Sequence, residues 1–178
     1  MTTSIRLRAG VERGIEFRKN GKIRIGIDPG ARYTGFVVRD GDVPIHASTI
    51  TRPIEDDAVT YARYVVAILI PLVEEYKALY PNLRIGIEGI SDPKGFKHGK
   101  RASLDPKHII RTGVTAGALA IAFPDAVIIP PGNNGSQHIS QYPAELQGRR
   151  PAGLAGDTNK AGTRSHEQSA YDIAGKVF

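Results

Sequence analysis

Three carboxylates in this sequence stand where their chemistry would have to be shared. Asp28 closes the run Ile23-Arg24-Ile25-Gly26-Ile27, and Glu88 closes Leu83-Arg84-Ile85-Gly86-Ile87. In both runs apolar residues alternate with Arg or Gly in the period of two that marks a strand with one face inward, so each acid lies at a strand's mouth. Asp172 sits inside Ala170-Tyr171-Asp172-Ile173-Ala174, a small and apolar helical run where an isolated charge would be costly. Taken singly each has an ordinary reading: Asp28-Pro29-Gly30 is also turn chemistry, and a lone Glu after a strand is usually solvated. Buried together, the three would repel one another unless a cation neutralised them, and hard oxygen donors of this kind suit Mg²⁺.

The elements needed to bring them together can be read along the chain. Pro29-Gly30 presets a tight turn, after which Phe36-Val37-Val38 reads as the returning strand of a hairpin. Residues 43–50 read as a third strand, with His46 expected to point outward. Asp56-Asp57 opens a helix whose stripe is Ala62, Val65, Val66, Leu69, Leu72, Val73, Tyr76 and Leu79. Asp105-Pro106 fits a helix cap and first turn, predicting a helix through Ala122. Its small residues Gly113, Ala116, Gly117 and Ala120 form a smooth stripe that would let another element, such as the domain's own sheet, approach closely. Ala126–Ile129 is the last strand, and the capping-box pattern Ser165-His166-Glu167-Gln168 starts the last helix. Periodicity alone therefore gives an α/β domain.

Ile25-Gly26-Ile27-Asp28-Pro29-Gly30, then Thr34-Gly35, Ile87-Glu88, a helix near 106–122 and Asp172-Ile173-Ala174 together resemble, in order, the RuvC-like Holliday junction resolvases. The likeness runs from about residue 23 to 178 and looks closer to phage-type members. It implies a ribonuclease H-like mixed sheet, with its first three strands antiparallel, then parallel strands, and helices on both faces. It also implies a homodimer that cleaves branched DNA, with Asp28, Glu88 and Asp172 as ligands of two Mg²⁺ ions and Mn²⁺ as a substitute. In such two-metal hydrolysis one ion generates the attacking hydroxide and the other stabilises the leaving oxygen. The family usually carries an acid or a histidine where this chain has Ser169, which leaves the fourth site residue open among His166, Glu167 and Ser169. His166 is preferred because it could also relay protons, although in a regular helix it lies about a third of a turn from Asp172.

Beyond the acids, the loop 91–104 carries Lys94, Lys97, His98, Lys100 and Arg101 against one acid, Asp92. Lys94, Lys97, Lys100 and Arg101 suit a phosphate backbone arriving at Glu88, and Phe96 suits either stacking on an unpaired base or packing on its own domain. The whole chain has a formal charge of +6, which favours a polyanionic partner. At 178 residues it reads as a ribonuclease H-like domain at 23–178 preceded by a basic strand extension at 1–22, with a long flexible loop at about 132–163. The absence of cysteine excludes disulfides and thiolate metal sites. The apolar run 64–73 is too short to span a bilayer, and the N-terminus lacks an apolar signal core. The expectation is a cytoplasmic protein with no membrane partner and no nucleotide cofactor. Two other readings remain: a catalytically silent nucleic-acid-binding module, and an actin-like ATPase fragment, which lacks the length for a second nucleotide-closing domain.

Overall fold

Alternation in β1 (Ile23–Asp28) puts Ile23, Ile25 and Ile27 on one face and Gly26 and Asp28 on the other, and the rest of the fold follows from what each face can accept. The computed structural model describes residues 22–51, 57–90, 106–147 and 165–177. After β1 come β2 (Tyr33–Asp40), β3 (Val43–Thr51), α1 (Ala58–Leu79), β4 (Arg84–Glu88), α2 (Pro106–Ala122), β5 (Val127–Ile129) and α3 (Ser165–Gly175). The sheet order is β3-β2-β1-β4-β5. β1, β2 and β3 pair antiparallel, whereas β4 joins β1 and β5 joins β4 in parallel. This is the mixed sheet expected from the sequence.

The isoleucine face is the main core. Ile23, Ile25, Ile27, Ile85 and Ile87 pack with Phe36, Val38 and Ile50 against Tyr61, Val65, Leu69 and Val73 of α1 and Leu119 of α2. Asp57 caps α1, its carboxylate accepting the Val59 and Thr60 amides at 2.7 and 3.0 Å. Buried Tyr61 donates its hydroxyl to the Ile50 carbonyl at 3.3 Å and lies 3.0 Å from Thr34 Oγ1. Thr34 thus has a structural use under the β1–β2 hairpin. His46 does not point outward: it is half-buried between Phe36 and Tyr76, with Nδ1 3.2 Å from the Tyr76 hydroxyl. Its strand face is the one that α1 covers, which parity alone left undecided.

The glycine face is made for a close helix. A Cβ on Gly26 would stand 1.9 Å from the Ala170 carbonyl oxygen, and one on Gly35 2.0 Å from that of His166. Only glycine lets the α3 backbone lie this near the strands. Ile173 and Val177 of the helix then meet Ile129 on the same side. Arg39, buried in β2, donates to the Tyr171 carbonyl at 3.1 Å and stacks 4.0 Å over the Tyr171 ring, fixing the far side of α3. Helices therefore cover both faces, as expected. Among the described residues the small stripe of α2 meets little of the sheet: an added Cβ at Gly117 has no neighbour within 4 Å, and one at Gly113 meets Ile90. Ile110 and Ile121 beside it are 63% and 84% exposed.

Of the stretch expected as a long flexible loop, the structure describes the first half. Residues 132–147 hold short 3₁₀ turns at Ile139–Gln141 and Ala144–Leu146 and pack on α3, while 148–164 lie outside the described residues. The basic extension, apart from Lys22, lies outside them too. Among the described residues no helix is long and apolar enough to cross a membrane.

Candidate active site

Parallel pairing of β1 with β4 in the register Gly26–Gly86 and Ile27–Ile87 brings Asp28 and Glu88 to the same end of adjacent central strands. Both belong to the face on which α3 lies. Asp28 is 7% exposed, and the Nδ1 of His166, from the first turn of α3, is 2.8 Å from its Oδ2. The His166 ring also stands 5.6 Å from that of Tyr33, whose own ring has the exposed Arg32 guanidinium 5.8 Å from its centre. Sequence reasoning passed over Arg32.

Glu88 is the perturbed acid of the pair. Burial pushes its carboxyl up to about 7, and Asp28 beside it pushes the same way, while Asn134 and Lys176 oppose them. The Asn134 amide donates to Glu88 Oε1 at 2.6 Å. A buried and a half-buried carboxylate, of which the second tends to keep its proton, are a site short of positive charge. Without metal, folded Glu88 binds a proton that the unfolded chain, at its ordinary 4.5, has released. The sign is therefore that stability is lost as pH rises from about 4.5 to about 7. Glu88→Gln should melt about 2–4 °C above the unsubstituted protein near pH 8 in EDTA, a figure discounted for partial solvent access, and near pH 5 the two should converge. Thermal melts at the two pH values check it; a lower melting temperature for the variant at both would count against the repulsion.

Asp172 is placed differently from the expectation. Ala170, Ile173, Ala174 and Val177 face the sheet, and at about 100° per residue Asp172 falls well off that stripe. Its carboxylate is buried under residues 135–142: Oδ2 accepts from the Gly135 amide at 2.9 Å and the Tyr142 hydroxyl at 2.9 Å, and Oδ1 from Gln137 Nε2 at 3.2 Å. Burial and this hydrogen bond to Asp172 push the Tyr142 phenol far up. The structure thus sets Asp28 against both Glu88 and His166 and gives Asp172 to residues 135–142. Among the described residues no three His, Asp or Glu side chains are grouped closely enough to hold a metal ion. His166 and Asp172, six residues apart on a regular helix, cannot both face the strand ends, and here His166 does.

Of the other candidates for the fourth position, Ser169 is buried beneath Gly135 and Glu167 turns toward β3, where Thr49 donates to it at 3.2 Å. Lys94, Phe96, Lys97, Lys100 and Arg101 lie outside the described residues. Asn134, Gln137 and Tyr142 were not found by sequence reasoning. The turn signal Asn133-Asn134-Gly135 was present, but nothing in it said what it would touch.

The donor set fits a divalent cation at the Asp28–Glu88 pair, since both are hard oxygen ligands and added positive charge offsets the burial, and the lesser effect of Asp28, that push the Glu88 carboxyl up. It does not offer Asp172 as it stands, because a second ion there would have to displace three hydrogen bonds.

No family model matches the chain, and no curated protein does. Solved structures do share its fold. A Thermus thermophilus RuvC in complex with a Holliday junction substrate superposes with a TM-score of 0.51 and 17% identity, covering 85% of this chain and 90% of that one. A second Thermus thermophilus RuvC structure gives 0.49 and 15% over the same shares. The fold is ribonuclease H-like, of the RuvC arrangement.

Proposed function

We propose that on this RuvC-type frame the chain is a metal-dependent endonuclease that cuts branched DNA, with residues 23–178 as the nuclease domain. The observation that carries the reading is the Asp28–Glu88 pair at the ends of adjacent parallel strands, with His166 on Asp28. The structural neighbour bound to a Holliday junction supports four-way junctions as the substrate class.

Asp28 and Glu88 would hold Mg²⁺, or Mn²⁺ in its place, and the bound cation supplies charge neutralisation at the phosphate and a more acidic water. The protein's own part is to orient and to move protons. Asn134 steadies Glu88 from the outer side, and His166 fixes one oxygen of Asp28. Water would add to phosphorus as the bond to the 3′ oxygen breaks, leaving a 5′ phosphate and a 3′ hydroxyl, with His166 exchanging a proton there. Lys94, Lys97, Lys100 and Arg101 would follow the backbone, with Phe96 against a base. A homodimer, meeting across α2 at Gly117 and the exposed Ile110 and Ile121, would offer two sites to the two strands of a junction.

The test is nicking of a synthetic four-way junction with Mg²⁺, compared with linear duplex and with ATP turnover under the same conditions. Mg²⁺-dependent cuts in the junction and no ATP hydrolysis are expected. Binding without cutting would favour the second reading, a silent nucleic-acid-binding module, for which the engagement of Asp172 by Gly135 and Tyr142 is the specific argument.

A further inference from the structure

We propose that Asn134 is a positioning residue of the site, carried on a clamp that residues 132–147 form over α3 and that Asp172 anchors, and that it orients Glu88 toward the cation. The proposal rests on the cation-binding reading of the Asp28–Glu88 pair.

Four observations build it. The clamp is tied to α3 along its length: Gly135 and Tyr142 bond Asp172, and the Leu146 carbonyl accepts from buried Gln168 Nε2 at 3.0 Å. Its bend is set by backbone geometry, with Asn133 at φ 56° and Gly135 at φ 72°. Asn is among the few side chains that tolerate this region and Gly enters it freely. Gly135 must also lie flat, since a Cβ there would stand 3.1 Å from the Ser165 carbonyl oxygen and 3.2 Å from Ser169 Cβ.

The bend delivers Asn134 between Glu88 and Lys176, and the amide's orientation there is forced. Lys176 Nζ, which can only donate, bonds Asn134 Oδ1 and the Gly132 carbonyl, the latter at 3.3 Å. The amide nitrogen is thereby turned to Glu88 Oε1, 2.6 Å away. One carboxylate oxygen of Glu88 is held from the outer side by Asn134, and Asp28 hydrogen-bonds the same carboxyl group. Partners of this kind, one bond behind a metal ligand, typically change metal affinity by about 10–100-fold when removed.

The test is Mn²⁺ binding to the full chain, followed by the electron paramagnetic resonance of the free ion, beside hydrogen exchange at the Gly135 amide. Asn134→Ala should weaken Mn²⁺ binding about tenfold or more while Gly135 stays as protected as in the parent protein. Tyr142→Phe combined with Gln137→Ala, which loosens the anchor without touching Glu88, should speed Gly135 exchange and weaken Mn²⁺ binding as well. Unchanged affinity in Asn134→Ala overturns the proposal. So does a loss of affinity matched by loss of Gly135 protection, because the amide would then only fold the clamp, and so does unchanged affinity in the double variant once its Gly135 exchange has quickened. If the parent protein itself binds no Mn²⁺, the cation reading of the site fails instead, and the two failures are distinct.

Discussion

Asp28→Asn is expected to reduce junction cleavage about a thousandfold while junction binding stays within about twofold of the parent. The substitution is isosteric at a position only 7% exposed, so β1 and its pairing with β4 should survive it. What it removes is one of the two anionic donors to the proposed cation. Charge stabilisation by such an ion contributes several kcal/mol to phosphoryl chemistry, and each 1.36 kcal/mol is tenfold in rate, so the loss compounds to about three decades. The amide also changes what His166 Nδ1 meets, a neutral group in place of a carboxylate oxygen at 2.8 Å. Affinity should be spared because it comes chiefly from phosphate contacts spread over many cations. Single-turnover nicking and gel-shift titration of the same junction would measure both. Cutting above about a tenth of the parent rate would remove Asp28 from the chemistry.

What the sequence disclosed about this site, and what it withheld, divides along physical lines. The ends of β1 and β4 were legible because a two-residue period states which face is buried and where the strand stops, and the acids lie at those stops. That a helix carries residues 165–175 was legible from the pattern Ser165-His166-Glu167-Gln168. The rotation of that helix was harder. It is set by how close α3 can come to Gly26 and Gly35, which are distant in sequence, and by the small stripe of Ala170 and Ala174 that answers them. Followed to its end, the stripe Ala170, Ile173, Ala174 and Val177 does put Asp172 off the sheet. The resemblance pulled the other way, because Asp172-Ile173-Ala174 matched a family motif. The clamp was illegible for a different reason. Its Gly, Asn, Gln and Ser residues have no period, and its order comes from single hydrogen bonds to α3 and Glu88 across 35 to 46 residues of chain.

The choice of His166 over Ser169 as the fourth residue has consequences of comparable size. His166→Ala should lower single-turnover cleavage about a hundredfold or more, the usual scale for a lost acid-base group, while Ser169→Ala should change it less than about threefold. The structure supports the asymmetry. His166 Nδ1 is bound to Asp28, so any proton given to or taken from the substrate passes through Nε2, and the ring is set at the mouth of the strands where Tyr33 flanks it. Ser169 is buried under Gly135, with its Cβ against the clamp, and its loss removes a hydroxyl from a helix–loop contact. His166→Gln separates two roles within the larger effect. A glutamine amide could still donate to Asp28 but cannot carry a proton across the reaction, so it should hold the melting temperature near that of the parent and leave the rate as low as in His166→Ala. Recovery of the rate in His166→Gln would reduce His166 to orienting Asp28. Parent-like cutting by His166→Ala, with Ser169→Ala crippled, would transfer the role to the serine, and α3 would then have to be turned about its axis in the active state.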